Sequence, residues 1–388
     1  MTRRVESGHG VAAIMGLVLA GLAAACAPAA QTPAAIADTP DTPFKLATVE
    51  AGGAVRLAMV LGDQVVDIAG ANAHLEEEAG LSATMLPTEM RALIDAYDTA
   101  SPRLYQIANY MAAGAPADLP FVFAADAVTF QAPIQYPWNL FSVAANYRLH
   151  AEGMAQEEDT DAAAGDEAPP RRGGFDASVI SQIDPDRDAP VVFAKSARSG
   201  IIGTGEPYYI PPGRTRIDWE GEVAVVIGEP ARLVTTADAL DHVFGYSILY
   251  DVSDRGGPPR REISMFPGPN WLEGKSLDRG APFGPVIVPK EFIDDPANLD
   301  ITTRVNGEVM QDANTNQLIW DDAHLVSYLS QIMTLYPGDV IATGTPAGTG
   351  AERQQFLSPG DVVEIEVEGI GTLRTPIEDY PGSAMGTN

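Results

Sequence analysis

Ile217-Asp-Trp-Glu-Gly-Glu-Val-Ala-Val-Val-Ile-Gly228 decides how this chain is read. Its apolar second half has the length and β-branched content of a buried strand. Residues two apart in a strand point to one face, so Glu220 and Glu222 converge at the strand's mouth. Two carboxylates aimed at one point repel unless a proton or a cation lies between them. A third acid, Asp251, ends a second strand-like run, Gly245-Tyr-Ser-Ile-Leu-Tyr-Asp251. Three oxygen donors without a histidine or cysteine cluster suit a hard cation: Mg²⁺, Mn²⁺ or Ca²⁺. On spacing alone, Glu220 and Glu222 read equally well as solvated acids, because Glu-x-Glu is common in an acidic protein.

This chain is strongly acidic: 53 Asp and Glu against 24 Lys and Arg give a formal net charge of −29. No basic stripe is present to neutralise phosphates, which argues against nucleic-acid binding. An anionic substrate would need a local positive site, supplied by a metal or by paired Lys and Arg. With 388 residues and 45% hydrophobic content, the chain can build one large domain or two smaller ones.

Residues 1–26 read as a signal peptide. Arg3 and Arg4 precede the apolar stretch Val11–Ala25, which is too short and too near the terminus for a good spanning helix. It stops at Leu22-Ala-Ala-Ala-Cys26, small residues before the chain's only cysteine. That pattern resembles a bacterial lipoprotein signal, with Cys26 as the lipidated N-terminus. Ala23 stands where leucine is more usual, so an ordinary secretory signal is the simpler alternative. The expected location is the cell envelope or periplasm, with membrane contact only through the lipid anchor. A lone cysteine also leaves no intrachain disulfide and no thiolate site. Residues 27–43, rich in Ala, Pro and Thr, read as a flexible tether.

A small N-terminal domain is expected over 44–132. Phe44–Val49, Val55–Val60 and Gln64–Ile68 read as a β-meander, and Met85–Ala113 carries helical periodicity. The larger domain is expected over 133–380. Within it, 155–188 is an insertion holding Glu157, Glu158, Asp159, Asp161, Asp166 and Glu167, readable as a solvated acidic loop or a lid. Short β-like runs dominate from Val191 onward. Val362–Glu368 alternates apolar and acidic residues, as a strand with one wet face does. One helix is expected over Asp321–Thr334, with Asp321 as N-cap and Leu325, Leu329 and Ile332 on one face.

The order of motifs adds to this. Asn146-Tyr-Arg-Leu-His150, Phe193-Ala-Lys-Ser196, the Glu-x-Glu run and Tyr250-Asp-Val-Ser-Asp-Arg255 come first. Trp271-Leu-Glu-Gly-Lys-Ser-Leu-Asp278, Gly284-Pro285, Val305-Asn-Gly-Glu-Val-Met-Gln311, Leu335–Gly350 and Pro359-Gly-Asp361 follow. The series resembles the fumarylacetoacetate hydrolase family from about residue 44 to 378. The resemblance implies a mixed, β-rich fold: a β-sandwich or roll with a barrel-like core and a small α+β N-terminal domain, usually a homodimer. It maps Glu220, Glu222 and Asp251 onto a metal triad, with Mg²⁺ or Mn²⁺ expected and Ca²⁺ as a further option. Lys275 matches an active-site lysine, where positive charge can meet a developing oxyanion.

Lys195 is expected at the pocket edge and Arg255 on a substrate carboxylate. Thr345, in a glycine-rich turn, would add donors for that carboxylate. His150 is the candidate general base. In the family's hydrolases a glutamate three residues after this histidine orients it; here that position is Gly153, and Glu152 is the nearest acid. Glu152 is therefore assigned the orienting role, with Glu157 or Glu158 able to reach back. A glutamine that often follows the Asp251 motif in the family is also missing.

The leading expectation is a metal-dependent hydrolase. It would cleave a C–C bond in an acylpyruvate-like or other β-dicarbonyl 2-oxo acid through a stabilised enolate. The alternatives are a 2-oxo acid decarboxylase, isomerase or dehydratase/lyase using the same chemistry, or a non-catalytic envelope binding protein. The partner expected in each catalytic case is a small anionic 2-oxo acid.

Overall fold

A computed structural model describes residues 36–116, 118–153, 180, 182–256 and 271–382. The leader, Cys26, most of the tether, Glu157 and Glu158, and the acidic insertion through residue 179 lie outside the described residues. The described chain forms a mixed, β-rich fold with three larger sheets and a few helices.

The N-terminal sheet is the expected meander. Lys45–Ala51, Ala54–Leu61 and Gln64–Asp67 pair antiparallel, and Val122–Ala124 and Thr129–Phe130 flank them. The third strand ends one residue early. Asp67 turns its carboxylate back to accept from Ala69 N at 3.2 Å, capping a helix over Ile68–Glu77 that the apolar pattern did not announce. The periodic stretch after Met85 becomes two helices, Met90–Asp95 and Tyr97–Ala112.

The central sheet runs, in spatial order, Val288–Pro289, Val243–Tyr250, Gly221–Ile227, Val340–Ala342, Leu140–Ala144 and Val191–Ala194. Every residue of Gly221–Ile227 and Val243–Tyr250 is buried. Alternation explains why an unbroken apolar run is needed there. Val223, Val225 and Ile227 join one core with Ile301, Ile365 and Leu373. Ala224 and Val226 join another with Phe44, Leu46 and Met59 from the N-terminal sheet. A strand buried on both faces has no wet side to carry polar residues. Each fully buried Val contributes about 1.5–3 kcal/mol.

The partner sheet orders Glu308–Asn314, Asp300–Val305, Val362–Val367, Gly371–Asp379 and Tyr208–Ile210. Val362–Val367 has the predicted wet face. The helix over Asp322–Ile332 is capped by Asp321, which accepts from His324 N at 3.0 Å. Leu325 and Leu329 are buried as expected, but Ile332 is 55% exposed at the helix's last turn, and Val326 takes the inward position instead.

Candidate active site

Register creates the acid cluster. Gly221–Ile227 and Val243–Tyr250 pair antiparallel with Gly221 opposite Tyr250, and Asp251 N donates to Glu220 O at 2.9 Å. Glu220 and Glu222 point to one face. Gly221 between them points to the other, where a Cβ would fall 2.2 Å from Thr303 Oγ1. Glycine is required there because the partner sheet packs against the backbone itself. The result is three buried carboxylates, Glu220, Glu222 and Asp251, with donor oxygens within 4.8 Å of one another.

Cations are shared unevenly among these acids. Lys275 Nζ donates to Glu220 Oε2 at 2.6 Å and to Asp251 Oδ2 at 2.8 Å. Lys195 donates to Asp251 Oδ1 and, at 3.2 Å, to Val252 O. Arg255 Nε donates to Asp218 Oδ2 at 2.8 Å, and its terminal nitrogen donates to Glu220 Oε1. Burial pulls Glu220 upward, but Arg255, Lys275 and His150 outweigh it and hold the carboxyl down at about 2. Glu222 has no cationic side-chain partner among the described residues. Its Oε2 accepts Gly344 N at 2.8 Å. Burial, reinforced by Asp251 and Glu220, pushes Glu222 well above the usual carboxylate range.

That imbalance fits a divalent cation. With every group ionised, Asp218, Glu220, Glu222 and Asp251 would carry four negative charges against three positive ones on Lys195, Lys275 and Arg255. The uncompensated charge sits at Glu222, which has a carboxylate oxygen within 4.8 Å of oxygens of Glu220 and Asp251. An all-oxygen, acid-rich donor set of this kind suits Mg²⁺ or Mn²⁺.

Two of the predicted substrate contacts have other duties. Lys195 is buried on Asp251 rather than at the pocket edge. The Arg255 guanidinium is committed to Asp218 and Glu220, so it organises the acids rather than waiting for a substrate carboxylate. Both follow from the same cause: buried acids draw in every cation within reach. Thr345 does line the cavity, with His150, Glu220, Glu222, Arg255, Trp271 and Lys275. Its hydroxyl donates to Gly221 O at 3.0 Å and accepts Gln311 Nε2 at 2.8 Å, which fixes the glycine-rich turn to the Glu-x-Glu strand.

His150 is buried and reaches the same cavity, but its carboxylate partner is not Glu152. Its Nδ1 lies 2.5 Å from Oε1 of Glu352, 202 residues away. Glu152 follows His150 on a helical stretch over residues 148–153, and neighbours two apart on a helix do not face each other. Glu352 belongs to the short helix Gly350–Arg353, whose Thr349 cap accepts Glu352 N. Asp218 fixes the start of that helix by accepting Gly350 N at 2.5 Å and Ala351 N at 3.1 Å. Asp218 and Glu352 were both missed from sequence. Thr349-Gly-Ala-Glu352 has the form of a capping box, which signals only a local duty for the acid.

Residues 139–378 match the family model described as fumarylacetoacetate (FAA) hydrolase, C-terminal. The oxaloacetate tautomerase FAHD2A, mitochondrial, of Bos taurus is 34% identical over 311 residues, covering 78% of this chain and 87% of that protein. The fumarylacetoacetate hydrolase of Exiguobacterium antarcticum is 30% identical, with a TM-score of 0.61 over 87% of this chain and 100% of that one. The maleylpyruvate hydrolase of Sphingobium sp. SYK-6, solved with manganese(II) and pyruvate, is 26% identical, with a TM-score of 0.59 over 86% and 99%.

Proposed function

The chain belongs to the fumarylacetoacetate hydrolase family, and from that premise we propose that it is a divalent-cation-dependent tautomerase of small 2-oxo diacids, with oxaloacetate the substrate to try first. The observation that carries the reading is the buried Glu220–Glu222–Asp251 cluster, in which Glu222 has no cationic partner among the described residues. Glu220, Glu222 and Asp251 would hold Mg²⁺ or Mn²⁺. When bound, such an ion draws electron density from the oxygens of a 2-oxo acid and so acidifies the adjacent carbon.

The chain's own residues do the rest. Lys275 keeps Glu220 and Asp251 ionised and aimed, and Arg255 fixes the other edge of Glu220. Nδ1 of His150 faces Glu352, which leaves Nε2 to take a proton from carbon and return it to oxygen. The Thr345 turn closes the cavity's far side. The similarity to oxaloacetate tautomerases, across most of both chains, favours tautomerisation over other outcomes of the same chemistry.

Hydrolysis of a C–C bond in an acylpyruvate is the second reading. A histidine backed by a carboxylate can take a proton from water as readily as from carbon, and the His150–Glu352 pair supplies that. The experiment runs the mature protein with Mg²⁺, Mn²⁺ or EDTA and follows enol-to-keto conversion of oxaloacetate by ultraviolet absorbance. An acylpyruvate panel is assayed in parallel for pyruvate release. Metal-dependent interconversion without pyruvate release supports the first reading, and pyruvate plus a carboxylic acid supports the second. Silence on both panels with no ion bound would favour an envelope binding protein. Export and lipidation at Cys26 remain part of the proposal, tested by the intact mass of the protein's mature N-terminus from cells.

A further inference from the structure

We propose that Asn306 is a modification site, the position at which this chain ages by spontaneous deamidation, and that Asp361 and Val362 hold it shut. Asn306-Gly307 is the only Asn-Gly pair in the sequence. It forms the two-residue tip between Asp300–Val305 and Glu308–Asn314, with Val305 opposite Glu308. Asn306 at φ 53° and Gly307 at φ 82° supply the two positive angles of a tight hairpin turn, which Asn and Gly tolerate best. Both residues are exposed. The same pair is chemically vulnerable. Gly307 N, unshielded by a side chain, can attack Asn306 Cγ. A C–N bond forms, the bond from Cγ to the side-chain nitrogen breaks, and ammonia leaves with the amide proton. Water then opens the succinimide at either carbonyl, giving aspartate or isoaspartate, with no oxidant or reductant involved.

The neighbouring turn holds the reaction off. Asn306 Nδ2 donates to Asp361 Oδ1 at 2.8 Å, and Asn306 Oδ1 accepts Val362 N at 2.9 Å. Its backbone N donates to Val362 O at 2.9 Å. The second oxygen of Asp361 accepts Ser358 N at 2.7 Å, so the acid is itself held in place. The side-chain amide is therefore bonded at both its atoms, and Cγ turns toward Gly307 N only when both bonds open. Two motifs that the cavity leaves unexplained, Val305-Asn-Gly-Glu308 and Pro359-Gly-Asp361, meet in this contact. The position matters because of Gln311 on the same strand. Gln311 Oε1 accepts Gly221 N at 3.1 Å, and its Nε2 donates to Thr345 Oγ1 at 2.8 Å and Pro346 O at 2.7 Å. Isoaspartate adds a carbon to the main chain of a turn whose length sets strand register. Either product also brings a second carboxylate against Asp361.

The test ages the full-length protein at physiological temperature and mildly alkaline pH. Residue 306 is followed by peptide mass mapping, with isoaspartate detected by enzymatic methylation. A synthetic peptide of residues 301–312 gives the unprotected rate. The folded wild type should deamidate at Asn306 at least about tenfold more slowly than the peptide, as expected where two hydrogen bonds must open together. Asp361→Ala should speed the reaction in the folded protein by about five- to tenfold, with its melting curve showing that it is folded. Should that variant fail to fold, Asp361→Asn, with one acceptor oxygen for two donors, should still exceed the wild-type rate by at least about twofold. A wild type as fast as the peptide, or folded Asp361 variants as slow as the wild type, would overturn the proposal. The isoaspartate-bearing fraction, separated by ion exchange, should melt below the intact protein. Equal melting temperatures would overturn the link from the hairpin tip to Gln311.

Discussion

On the floor of the cavity, Glu220 and Asp251 share Lys275, and each holds a further cation. On its wall, among the described residues, His150 and Glu352 have each other and a single backbone N–H. The floor is set by two strands in register, so its acids are placed by backbone pairing before any side chain chooses a rotamer. The wall depends on two short helical segments brought together by tertiary contact. A buried ion-pair network is a stability problem as much as a functional one, because removing one partner strands the others. A single hydrogen-bonded pair at a cavity wall can be lost with little effect on the fold. The difference predicts that floor mutations move stability and activity together, whereas wall mutations move activity alone.

Lys275→Met should test this hardest. It leaves Glu220 and Asp251 each short of one cation in a buried site, at a cost of roughly 3–5 kcal/mol. Turnover should fall by about 10²–10³ as positive charge leaves the cavity. Chemical denaturation and steady-state kinetics measure the two. If stability held while activity fell, the floor would be no more interdependent than the wall.

Glu222→Gln separates the two properties within the floor itself. The amide oxygen can still accept Gly344 N, but the uncompensated charge is gone. Metal-free protein should become more stable, by about 1–3 kcal/mol. Mn²⁺ binding should weaken more than about a hundredfold, since even groups that only orient ligands cost about 10–100-fold. Calorimetric titration with Mn²⁺ and melting in EDTA check both. A less stable metal-free variant would mean that Glu222 already has a compensating partner.

The same contrast explains what the sequence made legible. Glu220 and Glu222 are two residues apart on one strand, so strand periodicity places those two together; Asp251 joins them in the sequence reading through the resemblance, and the register of the two strands brings it alongside. Alternating burial along Gly221–Ile227 likewise follows from its composition. Glu352 carries no such signal. Its meeting with His150 needs the central sheet to bring Leu140–Ala144 alongside Val340–Ala342, a parallel pairing between strands nearly the whole domain apart. Glu152 was the expectation because adjacency in sequence was the only distance available. Lys195 and Arg255 were readable as basic residues near the site, but not as partners of particular acids, since that depends on which carboxylates end up buried.

The smallest effect sharpens the comparison by subtraction. Asp322 is a buried acid outside the cavity, at the start of the Asp322–Ile332 helix. Burial, with Asp321 beside it, raises its carboxyl to about 7 from 3.8, and a hydrogen bond with Tyr246 only partly opposes this. Below the unfolded value the group is protonated in both states and adds no penalty. Between about 4 and 7 the unfolded chain gives up the proton more readily, so stability falls as pH rises and levels off above about 7. Glu220 behaves in the opposite sense. Its lowered carboxyl adds stability above 4.5, which is lost as pH falls toward about 2. The two windows barely overlap, so they can be assigned separately. Asp322→Asn should lessen the decline between about pH 4 and 7, on the order of 1–3 kcal/mol, and leave the acid-side loss intact. Denaturation curves across that range measure it. A decline left unchanged in Asp322→Asn would have to come from other buried acids whose carboxyls burial also raises, Glu222 in the cavity or Asp339 outside it.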